Sequence, residues 1–284
     1  MKIWLSIALV LLVVLSSVLH VDEKAMQLLD ASFDRAMVAF GLAKALNAVI
    51  SLIQGTELSL TPVGIGLNFS VGEVLDPFND MVERFSWVML LSSVSLGIEK
   101  LLLILSSKLF LQVALGVSAV VTMALLWIKQ LKSSFALEYS LKIFALLVLL
   151  RFSAIVFVYS SQLMYDAVLQ NEYQQATEVI STTKEQLEDI ESQNKAILES
   201  KHEQGFFDSL DSKYSDIVAS LNISKQLESL QKSIDEASRN IITLITIFVF
   251  QTVLLPLFFL WIFVVLVRWI FGYKNDKLKL VYNN

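Results

Sequence analysis

Several residue types are scarce in this chain, and each scarcity removes a class of function. There is no cysteine, which excludes disulfides, thiolate catalysis and cysteine-ligated metal sites. The two histidines, His20 and His202, lie at opposite ends of long predicted elements, so they cannot share a metal site. No serine lies in a hydrolase motif, and no metalloprotease motif occurs. The sequence therefore predicts that the protein is not an enzyme, with no catalytic residue, cofactor or metal.

Charge is scarce as well, and apolar residues are abundant. Only 17% of the residues are charged, 55% are hydrophobic, and the net charge is −5. No cluster of lysines and arginines offers a surface for phosphates, so nucleic acid is not an expected partner. The apolar runs are long rather than alternating, which is typical of membrane-spanning helices. We therefore expect an all-α integral membrane protein.

Four apolar segments are predicted to cross the bilayer, and they divide the chain into six parts. The first is an N-terminal membrane anchor (1–20), for which a cleaved signal peptide is the alternative. The others are an extracytoplasmic amphipathic helix with a small β-hairpin (21–76), an amphipathic or re-entrant helix (77–108), two transmembrane helices with a short basic loop (109–164), an extracytoplasmic helical hairpin (165–240), and a C-terminal transmembrane helix with a basic tail (241–284).

Lysine and arginine positions set the expected orientation. Lys2, the lysines of residues 129–142 and the basic residues after 267 fall on one side if residues 85–105 do not cross. A crossing there would put the basic loop and tail outside, against the positive-inside bias. We therefore expect four spans with both termini in the cytoplasm. The compact loops favour a bacterial inner membrane.

The charged excursion between residues 166 and 240 carries apolar seams at heptad spacing. Two such seams, separated by Gly205, predict an antiparallel coiled-coil-like hairpin, with Thr183 and Asn194 as polar seam positions. Loosely associated amphipathic helices are the alternative. Phe206 and Phe207 directly follow the turn glycine, where they either cap the hairpin core or form an apolar contact patch.

In residues 63–72, apolar side chains alternate with glycine and small polar residues, as they do in a β-strand. These apolar residues would form one face of a strand whose free edge pairs with other copies of the chain, while residues 57–61 supply the first strand of the hairpin. An extended covering loop is the alternative. On this interpretation Gly55 ends the preceding helix, and Asp76-Pro77 begins the next one. The alternating residues are Val63, Ile65, Leu67, Phe69 and Val71.

Residues 79–107 form an apolar helix with a polar stripe, which permits an interfacial, a re-entrant or a pore-lining helix. The stripe ends near Glu99 and Lys100 and contains Asn79, Glu83, Ser86, Ser93, Gly97 and Ser107.

Pro256 in the last span predicts a kink.

Arg151 interrupts an otherwise apolar span, about 13.5 Å beyond Lys142 at 1.5 Å per residue. An unpaired charge there is costly, so it requires a partner or a water-filled cavity. Glu99 is a carboxylate in a strongly apolar stretch, and we expect Arg151 and Glu99 to form an intramembrane charge pair. A role for Arg151 in permeation or sensing is the alternative.

These patterns favour a non-enzymatic, self-assembling membrane scaffold. Its expected partners are the lipid bilayer, further copies of the chain, and a protein partner at the hairpin. The alternative is an oligomeric ion channel or pore lined by residues 79–107 with Arg151 and Glu99. A transporter is less favoured, because internal repeats are not visible.

Overall fold

The computed structural model describes residues 2–17, 19–60, 71–128, 134–203 and 212–272, and almost all of these are helical. Two π-helical segments, Tyr165–Leu169 and Phe250–Leu254, connect α5 to α6 and α7 to α8. The α-helices are α1 (Lys2–Ser16), α2 (Leu19–Leu60), α3 (Val71–Ser107), α4 (Leu109–Trp127), α5 (Ser134–Met164), α6 (Gln170–Glu203), α7 (Ser212–Val249) and α8 (Leu255–Gly272).

The predicted β-hairpin is not seen. Its first strand, residues 57–60, belongs to α2, and Val71 begins α3. Val63, Ile65, Leu67 and Phe69 lie outside the described residues. Extending an existing helix adds one backbone hydrogen bond per residue, whereas two isolated strands are only marginally stable. Residues 57–60 and Val71 are therefore helical, although the alternating pattern between them predicted strands.

Both predicted helix ends in this region were wrong for related reasons. Gly55 lies within α2, because a single interior glycine costs only about 1 kcal/mol relative to alanine. Pro77 lies inside α3, six residues after its start. Asp76 accepts a hydrogen bond from the Gln54 amide at 2.7 Å, so its side chain joins α3 to α2.

The described residues include five helices that are long and apolar enough to cross a membrane. This finding fits an integral membrane protein. Two of these candidates, Val21–Gln54 and Leu75–Ser107, were predicted to be amphipathic elements. The N-terminal helix α1 has only 15 residues, about 22 Å at 1.5 Å per residue, which is shorter than a hydrocarbon layer of about 30 Å.

The chain divides into two compact units. Unit 1 contains Met1–Asp34, Val94–Asp166 and Phe250–Asn284. Its core lies among α1, α4 and α5, while many large apolar side chains on the same helices are exposed. This inverted distribution is expected where lipid is the solvent. The buried core residues are Leu9, Leu115, Ala119, Leu126, Leu137 and Phe144.

Unit 2 contains Arg35–Ser93 and Ala167–Val249. Within it α6 packs against α7, and the rings of Tyr173 and Phe248 contact each other edge to face at 6.1 Å. The Tyr173 hydroxyl donates to the carbonyl of Arg35 at 3.2 Å, which ties α6 to α2. Small side chains on α2 allow close packing there, and the fully buried ones are Ala36, Ala39 and Ala43.

Candidate functional site

Arg151 forms the most buried polar cluster of unit 1, together with Asp22 and Ser16. It lies on α5, and only 1% of its surface is exposed. Its guanidinium donates to both carboxylate oxygens of Asp22, from Nη1 at 2.9 Å and from Nη2 at 2.6 Å. Nη2 also donates to the backbone carbonyl of Ser16 at 2.8 Å. This two-point geometry is the strongest form of ion pair that a carboxylate and an arginine make.

The three groups meet where one helix ends and the next begins. Ser16 is the last residue of α1, so its carbonyl has no acceptor role inside that helix. Asp22 is in the first turn of α2, where the helix dipole favours a negative charge. Arg151 therefore satisfies a free carbonyl and neutralises a carboxylate at one helix break. Its role here is to join α5 to α1 and α2.

The predicted partner of Arg151 was wrong. Glu99 lies on α3 and is not among the contacts of Arg151. The Oε1 atom of Glu99 is buried and has no hydrogen-bond partner among the described residues. The sequence did contain a signal for Asp22, since it is the first acidic residue of the chain and directly follows an apolar helix. Its importance was missed because the N-terminal span was expected to continue to residue 20, so the end of α1 at Ser16 was not foreseen.

Lys100 pairs with Asp30, which joins α3 to α2. Both side chains are almost half exposed, at 41% and 45%. Ion pairs with this exposure contribute little to stability because water screens them. Lys100 is therefore engaged, although less strongly held than Arg151.

A second polar cluster surrounds the π-helical segment Phe250–Leu254. In a regular helix the amide of residue 256 would donate to the carbonyl of Thr252, but Pro256 has no N–H. The Ser95 hydroxyl donates to this carbonyl instead, at 2.9 Å. The neighbouring Gln251 donates from Nε2 to the Ser161 hydroxyl at 3.3 Å. These contacts join α3 and α5 to the π-helical segment that precedes α8.

A third polar contact joins α4 to α5. The hydroxyls of Thr122 and Ser140 are 2.6 Å apart, and both residues are buried. Thr122 also donates to the carbonyl of Ser118, at 2.7 Å. In an apolar environment such contacts fix the register of two helices, since the alternative is an unpaired hydroxyl.

The polar stripe of α3 is buried only in part, since Glu83 is exposed and Asn79, Gly97 and Ser107 are half-buried. Ser86, Ser92 and Ser93 are buried, as is Ser106. Ser93 and Ser106 donate to carbonyls one turn earlier in their own helix. The serines of the stripe are therefore packed within the chain, whereas Glu83 is exposed.

The seams of α6 and α7 are buried over the part whose side chains are described. Thr183 is buried and donates to the carbonyl of Val179 in its own helix. Gly205, Phe206 and Phe207 lie outside the described residues, and the hairpin turn stays a prediction. The buried seam residues include Tyr173, Ala176, Ile180, Leu187, Leu230, Ile234 and Ala237.

Among the described residues there is no group of three side chains suited to hold a metal ion. The polar groups that do converge are ion pairs and hydroxyl contacts between helices. These contacts join helices to one another, and the Arg151–Asp22 ion pair is the most buried of them.

The comparisons with known proteins give no match: no family model, no curated protein and no solved structure is detectably similar to this chain.

Proposed function

We propose that the protein is a non-enzymatic membrane scaffold that assembles with copies of itself and offers its α6–α7 helices to a partner. The observation that carries this proposal is helix length. The run formed by α5, a π segment and α6 contains 31, 5 and 34 residues. At 1.5 Å per residue α6 alone is about 51 Å long, whereas a span needs only about 20 residues. Most of this helical length is free for protein contacts.

The state of the intramembrane charges supports the same function. Arg151 binds Asp22 and Ser16 through its two Nη atoms, and Lys100 is paired with Asp30. Charges that carry ions or protons need to face water or a moving ligand. Here they hold helices together.

The expected orientation puts the α6–α7 helices outside the cytoplasm. Lys2, the basic loop after Trp127 and the basic C-terminal tail then share the cytoplasmic side, in line with the positive-inside bias. On this proposal α6 and α7 form an antiparallel hairpin in a bacterial periplasm. A periplasm-active reporter fused after residue 205 should be active, and one fused after residue 279 should be silent.

The self-assembly part of the proposal is tested by the native mass of the protein. The protein is purified in lipid nanodiscs, and its mass is measured over a range of protein-to-disc ratios. We expect particles that contain more than one chain of 31.9 kDa. Single chains at every ratio would contradict self-assembly.

One observation favours an ion channel as a second candidate. The buried Oε1 atom of Glu99 has no hydrogen-bond partner within the described part of the chain, next to the half-exposed Lys100. A channel assembled from several copies would place this carboxylate beside a water-filled path. Currents in planar bilayers that change in ion selectivity with Glu99→Gln would favour this candidate. Absence of currents from the assembled protein supports the scaffold.

A further inference from the structure

The exposed face of α2 within unit 1 is polar. Residues 21–34 belong to this unit, and none of their large apolar side chains is exposed. Helices that meet lipid expose apolar side chains instead, as α1, α4 and α8 do here. The exposed residues of α2 recur about once per helical turn, so they share one side of the helix, which we call the α2 face: Glu23, Lys24, Gln27, Ala31 and Asp34.

Contacts between α5 and the last helix mark the height of the lipid. At one end the Lys142 ammonium donates to the carbonyl of Phe271 at 3.2 Å, and at the other end Gln251 donates to the Ser161 hydroxyl at 3.3 Å. Between these levels α8 exposes large apolar side chains along its whole length. From Lys142 to Ser161 the distance along α5 is about 28 Å, close to a hydrocarbon thickness of about 30 Å. Lipid therefore surrounds this part of the chain.

The first turn of α2 lies inside this layer. Arg151 is about 13.5 Å from Lys142 and about 15 Å from Ser161 along α5, so it is near the middle. Asp22 binds the Arg151 guanidinium through both carboxylate oxygens, which brings the start of α2 to the same level. A layer of about 30 Å that began as low as the exposed Phe135 would still extend about 6 Å beyond Arg151.

Glu23 and Lys24 directly follow Asp22, so two exposed charges lie at the height of the lipid. Adjacent residues of a helix do not face each other, so these two side chains cannot neutralise each other within one chain. The ion pairs among the described residues include neither of them. A charge inside a bilayer is costly and faces protein or water rather than lipid. Lipid therefore does not cover the start of the α2 face.

The α2 face is complementary to itself. Glu23 and Lys24 carry opposite charges and differ in height by only about 1.5 Å. When two copies in one bilayer are related by a two-fold axis, Glu23 of one copy meets Lys24 of the other, and the reverse contact forms at the same time. Gln27, one turn further on, has an amide that both donates and accepts, so two copies of it can bond to each other. The small side chain of Ala31 lets two helix backbones approach closely.

We propose that a second copy of this chain covers the α2 face, with reciprocal ion pairs between Glu23 and Lys24 across the interface. Contact between identical faces requires opposite charges at one height, whereas a water-filled path sets no such condition. This inference rests on the proposed self-assembly and names the surface that performs it.

A single cysteine locates the interface, because the natural chain has none. Ala31→Cys on the α2 face is compared with Val117→Cys, an exposed position on α4. Membranes containing each variant are treated with copper phenanthroline, an oxidant that enters lipid. We expect a disulfide-linked dimer of twice 31.9 kDa for Ala31→Cys, at several times the yield found for Val117→Cys. Equal yields would overturn the proposal. Particles of several chains without the Ala31→Cys cross-link would leave the scaffold standing and remove only the α2 interface.

Charge reversal in the Ala31→Cys background tests the ion pairs. Glu23→Lys and Lys24→Glu each place like charges opposite each other, so each alone should lower the dimer yield several-fold. A mixture of these two variants with different affinity tags should restore the yield as a mixed dimer, because one copy then carries two positive charges and the other two negative charges. The mixed dimer also shows that both variants fold. Glu172→Lys, an exposed change on α6, should have no effect. An unchanged yield with either reversal alone, or no mixed dimer, would overturn the ion pairs.

A water-soluble thiol reagent separates protein contact from a water-filled path. Gln27 lies about 8 Å along α2 from Asp22, inside the lipid layer. In membranes with the assembled protein, Gln27→Cys should react with the reagent as slowly as Val117→Cys does. Reaction many times faster at Gln27→Cys would show that water covers the α2 face, and would overturn the proposal.

Discussion

Removal of either partner of the Arg151–Asp22 pair should destabilise the protein far more than removal of both. The pair is suited to this test because Arg151 is almost fully buried and the Asp22 side chain is only 13% exposed. The variants are Arg151→Met, Asp22→Leu and the double change. Each replaces a charged side chain by an apolar one.

The magnitude follows from the contacts that are lost. Asp22→Leu leaves a buried guanidinium without its counter-charge, and Arg151→Met leaves the carboxylate alone. Each should lower the free energy of unfolding by about 3–5 kcal/mol, as measured for broken buried pairs. The double variant leaves only the Ser16 carbonyl unpaired, a cost of about 1–3 kcal/mol. The double-mutant cycle should thus give a coupling energy of at least about 3 kcal/mol, which is the upper end for contacting residues.

Steric trapping in lipid–detergent micelles measures these free energies without heating. The matched control is Glu99→Gln combined with Arg151→Met, because Glu99 is not a hydrogen-bond partner of Arg151. Those two changes should add to within about 0.5 kcal/mol. If Arg151 couples to Glu99 and not to Asp22, the assignment of the pair is refuted.

Three further substitutions test other helix contacts. Thr122→Val leaves the buried Ser140 hydroxyl unpaired and should lower the free energy of unfolding by about 1–2 kcal/mol, measured as above; a neutral effect would contradict the bond between α4 and α5. Ala43→Leu should overpack unit 2 and cost about 1–3 kcal/mol, whereas the exposed Ala48→Leu should be neutral; equal effects would be inconsistent with the packing of α2. Tyr173→Phe removes one hydroxyl bond but keeps the ring contact, so its cost should be about 1 kcal/mol; a larger loss would show that the hydroxyl bond matters more than the ring.

The helical, membrane-integral class could be predicted from the sequence because it depends on composition and on the length of apolar runs. The seams of α6 and α7 were also visible, since heptad spacing marks which side chains are buried. The helix ends predicted at Gly55 and Pro77 were wrong, because a single glycine or a proline near a helix start does not end a helix that its other residues stabilise.

The charge pair could be predicted only in part. The apolar surroundings of Arg151 showed that it needs a partner, but sequence spacing does not show which carboxylate lies beside it. Asp22 is favoured over Glu99 because the break after Ser16 brings a free carbonyl and a helix N-terminus to the same point. That convergence depends on the packing of α1 against α4 and α5, which is a tertiary property.

A single-particle image of the assembled protein in nanodiscs tests the scaffold most directly. The account predicts particles that contain more than one chain, with Arg151 paired to Asp22 in each chain and no continuous opening between copies. A ring of chains around a water-filled axis lined by Glu99 would contradict it.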